Sequence, residues 1–525
     1  MGAAEIVVTL DLGGSGARAH AFDAADRGHL GSSSCAYPAP GKDPGLFAAD
    51  AWWAAAVVAL RLLVEQLGAP ATSFTGVTVS AIRIPAVLLD RHGDLAGPSI
   101  LNTDRRGGLA LGELAQAIGA DRLYAVTGHW PTAKLGLAKL LWVRARMPAV
   151  WRRTSTVLQL HDWFVFRLCG VMASEASSAA MSQLLAVDGG SWASEVLAAA
   201  GIDAAMLPEL VRAGTPLGRV AGEVASATGL PAGLPVHAGG GDTHMSALSA
   251  AGASTAPVVV AGTTAPAQVA VAALPCAADR FPLFASAHVL AGRYALEANA
   301  GSTAGVLSSL HGLDSLRGEE LAAALRRRGF DLDPARDAPL VVLSGNPFFD
   351  PGSWSSWPRP TVTGLRRSHS GADVYRAGLD GACHAVRGVV ETLDEHCSTG
   401  SSPLVLAGGM SADPCWSQLL ADVCHREVTV RPPDAIAGLA GAVLVTARDA
   451  DAVVAGKTER RFIPSGDSRH DEDYRAYCDL YRKAQQRRRN RGVNGVGHRT
   501  SIAPVPGPSG NLSKGRTSAA VGTSG

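Results

Sequence analysis

The segment Gly239-Gly240-Gly241-Asp242-Thr243-His244 places a carboxylate directly after three glycines, where an apolar run gives way to a small-residue helical pattern. A carboxylate exposed in so crowded a site can take the proton of an attacking hydroxyl that lies within hydrogen-bond reach. The competing reading makes Asp242 a helix N-cap, the commonest role of Asp at such a junction. A second segment, Asp11-Leu12-Gly13-Gly14-Ser15-Gly16-Ala17-Arg18, follows a β-rich run. Its glycines let the backbone approach a phosphate with N–H groups forward, its hydroxyl can donate, and Asp11 can hold Mg2+ through water. An ordinary tight hairpin accounts for the same residues, and the P-loop pattern GxxxxGK followed by Ser or Thr is absent. Gly262-Thr263-Thr264 repeats the glycine-and-hydroxyl turn in the second half of the chain. Gly408-Gly409-Met410 can pass beneath a nucleotide or serve as a plain strand-to-helix turn.

These segments need elements to hold them. Residues 5–10 and 17–23 read as strands joined by the first glycine turn, and 51–67 as an amphipathic helix. Strands are expected at 76–80 and 86–90, and helical patterns dominate from about 110 to 205, as in 137–147. Residues 230–241 prepare a strand, 245–252 a small-residue helix, and 257–261 and 266–272 two further strands around Gly262. This repeats the opening pattern about 250 residues later, as two similar lobes would if each offered a turn to one ligand. Strands at 403–408 and 427–431 alternate with helices at 413–424 and 436–447. Residues 470–490 are charged and helical, with a basic run from Arg482 to Arg491. The Gly/Ser/Pro/Thr-rich stretch 492–525 is expected to be disordered.

With 525 residues, the chain has room for two or three domains. Hydrophobic residues at 47% and charged residues at 18% exclude disorder throughout. Lys+Arg 47 against Asp+Glu 46 excludes a whole-chain electrostatic grip on nucleic acid or an anionic membrane. The basic run near the end reads as a solvated charged face. Were it a nucleic-acid grip, truncation near residue 465 would abolish binding and leave the core indifferent. The eight cysteines contain no CxxC pair, and the neighbours Cys383-His384, His396-Cys397 and Cys424-His425 match no zinc spacing. With no signal peptide and no run of 18 apolar residues, the expected location is cytoplasmic. Part of the glycine excess, 60 residues, is background; the glycines at strand ends are the informative ones.

In this order and spacing the four segments resemble the FGGY carbohydrate kinases. The resemblance covers about residues 5–450 and extends to Lys139-Leu140-Leu141-Trp142-Val143 and to Gly408–Asp422, each similar to a family signature. It implies an α/β fold of two actin/hexokinase-like (ribonuclease H-like) domains, 1–250 and 251–465, around an ATP cleft, with 466–525 as a charged helix and disordered tail. It implies Asp242 as the catalytic base, near both substrate and metal, and Asp11 as the residue that orders Mg2+. Gly13, Gly14, Ser15, Gly16 and Arg18, with Gly262, Thr263 and Thr264, would flank the β- and γ-phosphates. Gly408, Gly409 and Met410 would meet the nucleoside. The implied cofactors are ATP and Mg2+ and the implied partner is a small carbohydrate, with no nucleic acid or membrane and a homodimer left open.

On the acceptor side the family pattern falls on Asn102-Thr103-Asp104-Arg105-Arg106, where Asp104 can accept from two sugar hydroxyls and Arg106 can fix it or the substrate. Xylulose kinases usually carry Gly-Gln-Met-His where this chain has Ala81-Ile82-Arg83-Ile84. Arg83 thereby becomes a candidate substrate-binding residue, the alternative being a structural arginine. Arg83, the 102–106 stretch, Gly239–Asp242 and the segment 161–192 look closer to the autoinducer-2 kinases, from which Ile84 and Pro85 depart. Gly14 stands where the family usually has Thr, Gly136 replaces a usual Pro, Ser or Thr, and 434–441 carries one extra residue before Leu439. None of these removes the base or the phosphate turns. The expected function is ATP-dependent phosphorylation of a hydroxyl on a small sugar, polyol or related carbohydrate. An autoinducer-2-type signal kinase and a non-catalytic ATP-binding regulator of the same fold are the alternatives.

Overall fold

The computed structural model describes residues 5–492 apart from 40, 253, 275–281, 334–338, 344–359, 398, 401, 431–435 and 447–459. The expected tail beyond 492 lies outside the described residues.

The first lobe is built on strands β1 (Ile6–Leu12), β2 (Gly16–Asp23), β3 (His29–Ala36), β4 (Phe74–Ala81), β5 (Pro216–Arg219) and β6 (Pro235–Gly241), in the sheet order β5-β6-β4-β1-β2-β3. All seven side chains of β1 are buried, as a central strand covered on both faces requires. β1, β2 and β3 form an antiparallel meander, whereas β4 runs parallel to β1 and β6 parallel to β4. Helix α1 (Ala49–Leu67) lays Trp52, Ala56, Leu60 and Leu63 against this sheet, at the three- and four-residue spacing of an apolar helical stripe.

A subdomain inserted mainly between β4 and β5 rests on four short strands, ordered Leu46–Phe47, Ser99–Ile100, Ala86–Leu89, Thr156–Gln159, the first of them supplied by the segment before α1. Helix α2 (Gly136–Arg146) packs over it with Leu137, Leu140, Leu141 and Val143. The strand Thr156–Gln159 interrupts the helical stretch expected at 110–205, because its backbone completes the ladder of Ala86–Leu89. Helix α3 (Asp242–Ala251) leaves the end of β6.

The second lobe repeats the plan. Its strands are β7 (Val258–Val260), β8 (Thr264–Val271), β9 (Phe284–Ala287), β10 (Tyr294–Ser302), β11 (Leu404–Ala407), β12 (Val428–Val430) and β13 (Arg460–Phe462), ordered β9-β10-β8-β7-β11-β12-β13. β10, β8 and β7 form the antiparallel meander and β11 and β12 continue in parallel, the counterpart of β3-β2-β1-β4-β6. The repeat that is weak in letters is therefore plain in topology. Helices α4 (Gly371–Cys397) and α5 (Pro414–Cys424) pack on this sheet.

The lobes are joined by an exchange of helices. α3 belongs to the first lobe by connection, yet its Ala247, Ala250 and Ala251 pack on Val258, Val405 and Ala407 of the second sheet. Helix α6 (Ile436–Thr446) follows β12 in the chain but buries Leu439, Ala442 and Val443 against Val7 and Phe22 of the first. Small residues permit the close approach: a Cβ on Gly441 would collide with Thr9 and Thr78, and the Thr9 hydroxyl donates to the carbonyl of Gly438 at 2.8 Å.

Helix α7 (Arg469–Gly492) is charged, as the sequence predicts, but it is no detached appendage. Tyr477 and Tyr481 are buried in the second lobe's core, and the Tyr474 hydroxyl donates to Glu391 of α4 at 2.7 Å. Asp471 takes an ion pair from Arg387 at 2.7 Å. The expectation that truncation near residue 465 leaves the core indifferent is corrected here: the cut would strip buried tyrosines from the lobe.

Candidate active site

Strand register brings the two candidate acids to one sheet end. Asp11 pairs with Ser80 across β1 and β4, and Gly241 pairs with Ala81 across β6 and β4, so Asp242 emerges beside the end of β4, one strand away from Asp11 on β1. The Ser80 hydroxyl donates to Asp11 Oδ1 at 2.9 Å, and Arg18 Nη1 lies 3.5 Å from Oδ2. Burial raises the Asp11 carboxyl above its ordinary value, while Ser80 and Arg18 pull it back.

Asp242 is the first residue of α3. Gly241 occupies the N-cap, so the capping role that competes for Asp242 in the sequence falls to another residue. Asp242 Oδ1 accepts from its neighbour Thr243 instead, from N–H at 2.8 Å and from the hydroxyl at 3.3 Å. A third of its side chain stays open. Burial pushes the carboxyl up to about 6, against the Arg83 cation and with help from the negative charge of Asp11.

The glycines before it answer to packing. A Cβ on Gly239 would run into the carbonyl of Val79, and one on Gly241 would sit 2.6 Å from Arg83 Cδ. In the second lobe the turn after β7 closes with Gly262 N–H donating to the carbonyl of Thr264 at 2.9 Å, as Gly13 N–H does to Gly16 at 3.1 Å after β1. Met410 N–H donates to the carbonyl of Ala261 at 3.1 Å, so Gly408–Met410 and Gly262–Thr264 form one surface. Gly14 and Gly409 have open space where a side chain would stand.

On the acceptor side Arg106 grips Asp104 through Nε at 2.6 Å and through its backbone N–H at 2.8 Å, and reaches Asp43 with Nη1 at 2.6 Å. The signature stretch on α2 explains itself here. Lys139 Nζ donates to the Asp104 carbonyl at 2.8 Å, and the Arg106 guanidinium lies 4.2 Å over the Trp142 ring. Burial carries the Lys139 ammonium down to about 8.

Arg83 is engaged on every side. Its two terminal nitrogens donate to the Glu297 carboxylate at 2.8 and 3.0 Å, and Nη2 also donates to the Thr243 hydroxyl at 2.9 Å. Its Nε is 3.9 Å from Asp242 Oδ1. Nη1 lies 3.2 Å from His244 Nε2; a guanidinium can only donate, so Nε2 accepts and Nδ1 carries the ring proton. The next residue, Ile84, sits at φ +93°, strained backbone for a β-branched side chain. Burial keeps three nearby imidazoles neutral, with His129 and His288 at about 4 and His244 well below its ordinary value. Thr243, His244 and Glu297 escape the sequence reading. Only Glu297 leaves a trace, as a lone carboxylate inside the apolar run of β10.

Two carboxylates at one sheet end, separated by the single strand β4, suit a Mg2+ ion that keeps waters and takes phosphate oxygens. Among the described residues no group of three His, Cys, Asp or Glu side chains forms a protein cage. Nor, among them, is any helix long and apolar enough to cross a membrane.

Comparison with known proteins finds relatives in sequence and in fold. Residues 6–249 match the N-terminal domain model of the FGGY family of carbohydrate kinases, and residues 255–450 match its C-terminal domain model. The autoinducer-2 kinase of Salmonella typhimurium is 26% identical over 392 residues, 72% of this chain and 73% of that protein. The crystal structure of a xylulose kinase from Rhodospirillum rubrum superposes with a TM-score of 0.74 at 26% identity, covering 92% of this chain and 99% of that one. A glycerol kinase from Plasmodium falciparum, solved with ADP, shares the fold at a TM-score of 0.73 and 15% identity, over 92% of this chain and 98% of that one.

Proposed function

The chain belongs to the FGGY family of carbohydrate kinases, which phosphorylate sugars with ATP, and from that premise we propose that Asp242 is its general base. The observation that carries the assignment is the placement of this carboxylate: first residue of α3, part open, with one oxygen held by Thr243. In the proposed reaction the acceptor O–H bond breaks toward Asp242 as the oxygen forms its bond to the γ-phosphorus, and the bond to the ADP leaving oxygen breaks in line.

The residues proposed to hold the nucleotide are the paired turns. Backbone N–H groups of the turns Gly13–Gly16 and Gly262–Thr264, apart from those of Gly13 and Gly262 that close the turns, with the hydroxyls of Ser15, Thr263 and Thr264 and the Arg18 guanidinium, would face the β- and γ-phosphates. Gly408–Met410 would face the nucleoside. Asp11 and Asp242 would hold Mg2+ through its waters, and when bound that ion neutralises charge developing on the phosphoryl oxygens. Asp104, held by Arg106 and Lys139, would meet acceptor hydroxyls.

The acceptor proposed is a small polyhydroxylated carbohydrate, and an autoinducer-2-type molecule is the second reading, favoured by the 26% identity to the autoinducer-2 kinase of Salmonella typhimurium. ATP consumption against ketoses, polyols, aldonates and the autoinducer precursor separates these readings. Turnover of none would favour a nucleotide-binding regulator. Asp242→Asn should lower kcat by roughly 10²–10⁴-fold with the KM for ATP unchanged. Full turnover by that variant would refute the assignment.

A further inference from the structure

Arg83 and Glu297 come from different lobes. Arg83 follows β4 of the first sheet, and Glu297 lies on β10 of the second, 214 residues away. Both are buried, at 8% and 3% side-chain exposure, and their bidentate contact has the fork geometry that carboxylates offer guanidinium groups. A buried ion pair gains little stability over an apolar pair of the same size, since desolvation offsets the attraction. Its presence beside Asp242 therefore calls for a reason other than stability.

The geometry supplies one. Arg83 has three nitrogens to place. Glu297 takes both terminal ones, Thr243 shares Nη2, and the remaining Nε faces Asp242. Thr243 in turn donates to Asp242 Oδ1. The guanidinium cannot swing toward the acceptor without abandoning Glu297, and the strained residue after it, Ile84, leaves the backbone little freedom to follow. We infer that Glu297 is a positioning residue: reaching in from the second lobe, it locks Arg83 in the orientation that orders Thr243 and Asp242 for the acceptor hydroxyl. The first lobe's base is thus arranged only when the second lobe is docked on it.

This inference rests on Asp242 as the base, and the experiment separates the two. Arg83→Met, Glu297→Met and the double variant are compared by thermal unfolding and by steady-state kinetics with the best acceptor from the panel. If the pair forms in the folded protein, each single variant strands a buried charge, and the double variant regains most of the lost Tm. Additive Tm losses would overturn the inference without any activity measurement. A positioning role further requires that the double variant, though refolded to near wild-type Tm, stays about 10²-fold low in kcat with the KM for ATP unchanged. Glu297→Asp, which keeps the charge, should recover part of that loss. Wild-type kcat in the double variant would make the pair structural only and defeat the proposal. Full activity in Asp242→Asn would instead defeat the base assignment on which it rests.

Discussion

A carboxyl raised to about 6 is largely ionised at neutral pH and half protonated one unit below it. For Asp242 burial outweighs the opposing Arg83 cation, and the proton is held longer than in a free aspartate. A general base acts only when deprotonated, so activity should be full above its pKa and fall about tenfold per unit below about pH 6. Measurement of kcat/KM across that range checks this; the nearby histidines, neutral by burial, cannot supply the same acid limb. Arg106 permits a second prediction. Its planar fork bridges Asp104 and Asp43 and stacks on Trp142, which a lysine ammonium cannot do. Arg106→Lys should raise the acceptor KM about tenfold and leave that for ATP alone, as initial rates would show. The Asp104–Arg106 contact was legible because the two residues are neighbours in sequence. Asp43 and Glu297 were not, because the loop and strand that deliver them are set only by tertiary folding.

At the scale of elements, the glycine turns divide into those the fold demands and those it leaves free. Gly408 has φ +88°, and a Cβ there would stand 2.5 Å from the Ala261 carbonyl oxygen. Gly408→Ala should destabilise the protein by about 1–3 kcal/mol, read from chemical denaturation. Gly14 meets nothing within 4 Å, so Gly14→Ala should stay within about 0.5 kcal/mol and alter only the KM for ATP. Helix α7 makes a further case. Tyr477 is fully buried in the second lobe's core, and Tyr477→Ala should cost about 3–5 kcal/mol, visible as a large drop in Tm. The helix itself was legible, but its docking face was passed over because charged residues dominate the segment. The signal lay in Tyr474, Tyr477 and Tyr481, spaced three and four residues apart as one helical stripe.

For the whole molecule, the two lobes have one plan of strands, and that plan could be glimpsed in the sequence only through two glycine-and-hydroxyl turns. Strand runs such as Ile6–Leu12 and Leu404–Ala407 were legible because a strand buried on both faces needs a nearly continuous apolar sequence. The partner of each helix was not, since Ala- and Gly-rich helices such as α6 are apolar all round and do not declare which sheet they cover. That silence hides the exchange of α3 and α6. Each half of the polypeptide wears a helix belonging to the other's surface, so a gene cut at residue 252 would yield two fragments that are sticky alone and complementary together. Co-expressed, they should reconstitute the enzyme, and two intact chains at high concentration have the same option of trading halves to make an intertwined pair.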